Sequence, residues 1–297
     1  MQVSVFSPAK INLFLAVTGR HPDGFHDLVS VVAPLDFGDE LEASLATPGE
    51  GSRFSLACDH PDVPIDGSNL VLKAAEAFAV AAAWKGAVHF KLTKRIPVGA
   101  GLGGGSSNAV AALRALNQLA GSPLVTAQLA DVAVTLGSDC ALFLRGAPVA
   151  MRGRGERVDD LAAGAVTRLR GRSILVFKPG FGIGTPWAYQ RMIARGGDYI
   201  SVADAEGRLA AWLHSTAPAE KLLFNNIEPA AFEKYVALPV LTGRLQREFG
   251  VATAMSGSGS ACFALLPDDA AAIVTQMKQM IRESWGEVTF VQEARLT

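Results

Sequence analysis

From Ile96 to Asn108 the chain reads Ile-Pro-Val-Gly-Ala-Gly-Leu-Gly-Gly-Gly-Ser-Ser-Asn, with five glycines in the seven positions 99–105. No side chain keeps a ligand away from a glycine backbone. Residues 109–120 are nearly all helix formers, so the run opens a helix. The free N–H groups and positive dipole end of that helix face back onto the loop. Together they form a site for an anion, most commonly phosphate. Gly99, Gly101 and Gly104 satisfy the spacing G-x-G-x-x-G, but almost any glycine run does. The dinucleotide fingerprint needs a buried parallel strand before it and an acidic residue about 20 positions later. Residues 88–94 alternate apolar and polar, as in an antiparallel strand with one wet face, and no acidic residue follows until Asp131. No Lys-Ser or Lys-Thr closes the run as in a P-loop, so a third kind of phosphate loop is required.

A loop of this kind needs a scaffold. The 297 residues, 49% apolar and 19% charged, suffice for two ordinary domains or one large one. A net charge of −1 leaves no electrostatic footprint for nucleic acid or an anionic membrane, so neither is expected as a partner. Cys58, Cys140 and Cys262 are far apart and odd in number. They predict free thiols in a reducing cytoplasm, with neither a disulfide framework nor a structural zinc site. No basic n-region with a long apolar run opens the chain. The most apolar long window, 74–88, contains Glu76 and Lys85 and reads as a buried helix.

Short strands are expected at Val3–Phe6, ending at Ser7-Pro8, and again at Ala9–Val17. Lys10 and Asn12, two apart, share a face of the second. Gly19–Gly24 is a turn. Further strands are expected at 28–32, 41–45 and 54–57. Ser68-Asn69 caps a helix from about Leu70 to Trp84. After the glycine loop and its helix, Thr126 starts another helix, Gly137-Ser138-Asp139 ends it, and Cys140–Leu144 reads as a strand. Ser173–Phe177 is a buried strand running into Pro179–Pro186. A second glycine and serine loop, Ser256–Ser260, precedes the apolar strand 261–266. Helix 268–285 and strand 287–291 follow. Helices that interrupt alternating strands indicate an α+β fold, with domains 1–160 and 161–297.

Three segments carry a resemblance. Pro8-Ala9-Lys10-Ile11-Asn12-Leu13, the loop Pro97–Asn108, and Ser256-Gly257-Ser258-Gly259-Ser260 resemble the three motifs of the GHMP small-molecule kinases. Asp23-Gly24-Phe25-His26 and Leu136-Gly137-Ser138-Asp139 are similar to members that act on a cytidyl-linked sugar alcohol. The resemblance spans essentially the whole chain. It implies the GHMP kinase fold: an N-terminal domain like domain 2 of a small-subunit ribosomal protein, with a left-handed crossover, and a ferredoxin-like C-terminal domain. It implies phosphoryl transfer from ATP, with Mg²⁺, to the 2-hydroxyl of a CDP-linked methylerythritol in the non-mevalonate isoprenoid route.

The resemblance also implies roles. Pro97, Gly99, Ala100, Gly101, Leu102, Gly103, Gly104, Gly105, Ser106 and Ser107 hold the ATP phosphates, and the turn ending at Asn69 meets adenine. Asp139 is the base. By its surroundings in the sequence alone it is equally a helix-end turn residue. Lys10 neutralises charge near Asp139 and the transferring group, and Asn12 orients the substrate. His26 reads the cytosine edge while Phe25, where the family commonly has tyrosine, stacks on the base. Thr185 and Tyr189 supply the opposite wall, with Phe181 in reserve. Asn225-Asn226 stands where Asn-Asp is usual. No carboxylate cluster announces the magnesium ligands. Ser107 is a candidate, and the metal ligands and oligomeric state stay unknown.

Overall fold

The computed structural model describes residues 1–47, 52–196 and 198–297. In chain order the first elements are β1 (Gln2–Arg20), β2 (His26–Ala46), β3 (Phe54–Cys58), α1 (Leu70–Ala81), β4 (Ala87–Thr93), α2 (Gly104–Leu119) and α3 (Thr126–Leu136). Then come β5 (Val149–Gly153), β6 (Arg157–Asp160), α4 (Ala163–Leu169), β7 (Ser173–Lys178), α5 (Thr185–Arg195) and α6 (Val202–Leu213). The rest is β8 (Phe224–Asn225), α7 (Glu228–Lys234), α8 (Ala237–Phe249), β9 (Ala252–Met255), β10 (Cys262–Leu265), α9 (Ala271–Trp285) and β11 (Phe290–Arg295). Packing groups these into two units. The first holds Met1–Ala9, Phe37–Val98 and Gly103–Gly146; the second holds Lys10–Asp36, Gly99–Leu102 and Ala147–Thr297.

In the first unit β4 runs antiparallel to the end of β2 and parallel to β3, so β3–α1–β4 is a crossover unit. The alternation in β4 therefore marks a mixed sheet with one wet face, not a purely antiparallel one. Helices α1 and α2 pack together through small residues: Ala74, Ala75, Ala109, Ala112 and Ala115 are all fully buried. β1 does not break at Ser7-Pro8. Gly38 on β2 lets the chains meet there, since a Cβ on it would strike the Ser7 carbonyl and Pro8. Helix α2 begins at Gly104, five residues before its run of strong formers. Cys140–Leu144 is not a strand. Its apolar run closes as a 3₁₀ turn at Ala141–Leu144, and the Arg114 guanidinium takes the Phe143 and Leu144 carbonyls at 2.8 and 3.2 Å. A short buried run does not by itself distinguish the two conformations.

In the second unit the start of β2 is antiparallel to β5, β5 to β6, and the end of β1 pairs parallel with β8. Its second sheet is antiparallel in the order β11-β7-β10-β9, or 4-1-3-2 within its own four strands. With helices between its first and second strands and between its third and fourth, this is the expected ferredoxin-like arrangement. Its core runs through Leu175, Phe177, Ile227, Leu241, Met255, Ala264 and Met277. The last strand lies later than residues 287–291, because Gly286–Thr289 forms a turn first.

Candidate active site

In the second unit, Gly99–Leu102 offers its carbonyls to the protein. Ala261 N–H donates to Ala100 O at 3.1 Å, the Ser256 hydroxyl to Gly101 O at 3.0 Å, and Lys10 N–H to Leu102 O at 2.9 Å. The N–H groups of Gly99–Leu102 make no hydrogen bond to the protein among the described residues. A row of open amides with occupied carbonyls is an anion-binding surface. Gly101 has φ +77°, and a Cβ there would strike the Ser256 carbonyl, so glycine is required.

Lys10 and Asn12 lie beside this segment, both buried. Lys10 Nζ donates to Asn12 Oδ1 at 2.6 Å, Asn12 Nδ2 to Ser30 Oγ at 3.0 Å, and Ser30 Oγ to Phe14 O at 2.6 Å. A Cβ built on Gly257 would lie 3.5 Å from Lys10 Nζ, 3.4 Å from Asn12 Oδ1 and 3.4 Å from Gly101 O. The early motif, the front of the glycine loop and the late motif therefore converge. Thr185 joins them through a 2.9 Å bond between its hydroxyl and that of Ser258.

His26 begins β2 and is buried. Its ring centre is 4.4 Å from that of Tyr189, and its Nε2 is 3.0 Å from the Tyr199 hydroxyl. Burial, helped by the charges of Arg20 and His21, lowers its pKa and favours the neutral ring. Phe25 is 55% exposed, with Arg154 stacked 5.0 Å over its ring and bridged to Asp23 at 2.7 Å. Tyr189, not Phe181, neighbours His26; the Phe181 ring stacks on Tyr235 at 5.1 Å. Asn225 Nδ2 holds Met255 O and Gly257 O, each at 2.9 Å. Asn226 Nδ2 donates to Val17 O at 2.9 Å and Asp198 O at 2.8 Å, which an aspartate could not do.

In the first unit, Gly103 (φ +72°) precedes the first turn of α2, and the N–H groups of Gly104–Ser106 find no acceptor among the described residues. A network that sequence reasoning missed sets this helix end. Asp39 is fully buried, with Oδ1 accepting from Arg95 N at 2.7 Å and Ile96 N at 2.8 Å. Its other oxygen takes the Lys94 ammonium and Asn108 Nδ2, the latter at 2.9 Å. Asn108 Nδ2 also reaches Ser7 Oγ at 2.8 Å, and Ser7 donates to Ser107 Oγ at 2.9 Å. The strand end before Pro97 and the second half of the α2 first turn are thus bound to one carboxylate. Ser107 is 1% exposed and its hydroxyl accepts from Ser7 at 2.9 Å. Ser106 is half-buried beside the Cys140 thiol, whose pKa burial pushes up to about 11, a rise that the nearby Ser106 hydroxyl partly offsets. Cys140 follows Asp139, so this proximity sets the Asp139 turn near the helix start. The Asn69 side chain caps α1 at Val71 N (2.9 Å) and holds Pro64 O (2.6 Å), so it is already occupied.

Matches to the GHMP kinase N-terminal domain cover residues 69–147, and to the GHMP kinase C-terminal domain residues 209–283. A solved homoserine kinase from Cytophaga hutchinsonii shares the fold over 99% of this chain and 95% of its own, with TM-score 0.75 at 18% identity. The class is therefore that of the GHMP kinases. Proteins named 4-diphosphocytidyl-2-C-methyl-D-erythritol kinase from Methylacidiphilum infernorum and Geobacter sulfurreducens are 38% and 34% identical. The first alignment covers 89% of this chain and 86% of the relative, the second 96% of each. A crystal structure of 4-(cytidine 5'-diphospho)-2C-methyl-D-erythritol kinase matches 99% of this chain and all of its own, at 33% identity and TM-score 0.77. The chain belongs to the 4-diphosphocytidyl-2-C-methyl-D-erythritol kinase family within that class.

Proposed function

We propose that the protein transfers the γ-phosphoryl group of ATP to the 2-hydroxyl of 4-diphosphocytidyl-2-C-methyl-D-erythritol. The similarity to proteins of that name over nearly their whole length carries the reading. The open amides of Gly99–Leu102 and of the α2 first turn support a phosphate grip by Pro97–Ser107. Phosphoryl transfer needs positioning, charge stabilisation and a proton acceptor. Asp139 accepts the proton of the attacking hydroxyl. Lys10 neutralises charge on the transferring group, and Asn12 orients the substrate. His26, Phe25, Tyr189 and Thr185 hold the cytidyl side, and the turn at Asn69 meets adenine through its backbone, since its side chain is engaged.

Mg²⁺, when bound, neutralises phosphate charge. The donor set fits an ion held mostly by phosphate and water, with the Ser106 hydroxyl and the Asp139 carboxylate as the candidate protein oxygens. Three free thiols support a cytoplasmic setting. The two family matches fall on either side of residue 160, which supports functional domains at 1–160 and 161–297.

The test is ADP release from ATP with the CDP-linked alcohol and with the same alcohol lacking its nucleotide. A strong preference for the former is expected. Equal kcat/KM for the two would leave a different GHMP kinase in its place.

A further inference from the structure

Tyr199 has no counterpart in the sequence argument, yet it holds the only polar contact that the His26 ring makes among the described residues. The two rings are nearly parallel, 9° apart with centres at 6.0 Å, so the phenol oxygen meets Nε2 edge to edge. Tyr199 is itself anchored on both sides. Asn226 Nδ2 holds the Asp198 carbonyl at 2.8 Å, and Ile200 N–H reaches Val17 O at 3.4 Å. Burial raises the pKa of the phenol, so it keeps its proton. A phenol is a stronger donor than an imidazole N–H, and an imidazole nitrogen is the better acceptor, so the O–H points at Nε2. A neutral imidazole with Nε2 accepting carries its proton on Nδ1.

We propose that Tyr199, held in place by Asn226, fixes His26 as the Nδ1–H tautomer and thereby sets the choice of cytosine over uracil. This rests on the cytidyl reading above. An Nδ1–H donor pairs with N3 of cytosine, a bare acceptor. Uracil presents N3–H there, donor against donor. A site built to pair one polar edge rejects an analogue that leaves it unsatisfied. Tyr199 is a positioning residue in this scheme and acts only through His26. Asparagine at 226 has a reason here, because the bond to the Asp198 carbonyl needs an amide donor.

The experiment has two arms. In the first, ¹⁵N NMR of the free enzyme reads the His26 ring. Wild type should show a protonated Nδ1 and a bare Nε2, and Tyr199→Phe should shift population to the other tautomer. In the second, kcat/KM is compared for the CDP-linked alcohol and its UDP-linked analogue. Tyr199→Phe should shrink the cytosine preference about tenfold, mostly in KM for the nucleotide-linked substrate, and Asn226→Asp should shrink it less. A wild-type His26 protonated on Nε2 would overturn the proposal whatever the substrate. So would an unchanged preference in a Tyr199→Phe enzyme whose tautomer has moved. Should wild type not distinguish the CDP-linked alcohol from the nucleotide-free one, the cytidyl reading falls and the specificity half goes with it. The NMR arm contains no substrate and still decides the tautomer.

Discussion

Ahead of the glycine loop, in the first unit, the strand end Lys94–Ile96 hangs on a fully buried carboxylate that also grips an ammonium and the Asn108 amide. Within the loop, in the second unit, Ala100–Leu102 is held by two backbone amides and one serine hydroxyl, with no charge among them. The two anchors should fail differently. A buried ion pair with one partner removed leaves an uncompensated charge and costs about 3–5 kcal/mol. A neutral hydrogen bond is worth only about 1 kcal/mol. The ionic anchor secures the helix start, whose orphan N–H groups need a fixed direction to serve an anion. The neutral anchor keeps the Ala100–Leu102 carbonyls engaged within the second unit.

The largest effect should be on rate, and it lies on the ionic side. Asp139→Asn keeps the shape of the turn and removes the proposed base. General-base catalysis contributes roughly 10²–10⁴-fold, so kcat should fall by about that much with little change in ATP affinity. Near-normal single-turnover rates would remove Asp139 from the mechanism.

Next in size is the anchor itself. Asp39→Asn leaves Lys94 charged and buried, and chemical denaturation should report a loss of about 3–5 kcal/mol. Adding Lys94→Met should restore more than half, because replacing both charges by neutral groups is far cheaper than orphaning one. If Asp39→Asn costs no more than a neutral hydrogen bond, the contrast between the anchors is wrong.

Much of this was legible beforehand, and the illegible parts share a physical cause. The loop could be read because glycine excess and a helix start are local signals. Lys10, Asn12 and the Ser256–Ser260 segment were found as motifs, and the second-unit sheet order matched the resemblance. Asp39 could not be read. It is an ordinary acidic residue after Gly38, and its partners are 55 to 69 residues away. Tyr199 lies 173 residues from His26. Cys140–Leu144 was misread as a strand because apolar runs of four or five residues lack a usable period. The contact between Ser107 and Ser7 was equally out of reach, because 100 residues separate them in the chain.

The neutral side hides one titratable group, which sharpens the contrast. Glu228 opens α7 and accepts Met255 N–H at 2.7 Å, just before the late glycine and serine loop. Burial pushes its pKa up from 4.5 to about 7, partly offset by that bond. The folded protein keeps this proton after the unfolded chain has lost it. Its contribution to stability is therefore full below pH ~4.5 and lost as pH rises through about 7. Glu228→Gln should match wild type near pH 4.5 and be more stable at pH 8, by up to about 3 kcal/mol. A wild-type stability unchanged by the substitution at both pH values would mean that the carboxyl is solvated.

The smallest effect tests the neutral anchor directly. Ser256 is fully buried, and its hydroxyl donates to Gly101 O at 3.0 Å and accepts from Asn12 N at 3.4 Å. Ser256→Ala removes one good hydrogen bond and one long one without leaving a charge. It should cost about 1 kcal/mol, which for a chain of this size is a fall in Tm of roughly 2–4 °C. The Ala100 and Leu102 carbonyls keep their partners, so the loop should retain its course, with Gly101 O alone freed to turn toward a bound phosphate. Repulsion from that one oxygen should raise KM for ATP several-fold and leave kcat near its normal value. Measured beside Asp39→Asn, the ratio of the two stability losses states the contrast as a number, expected near three to five. A ratio near one would mean that the carbonyl anchor is as stiff as the ionic one.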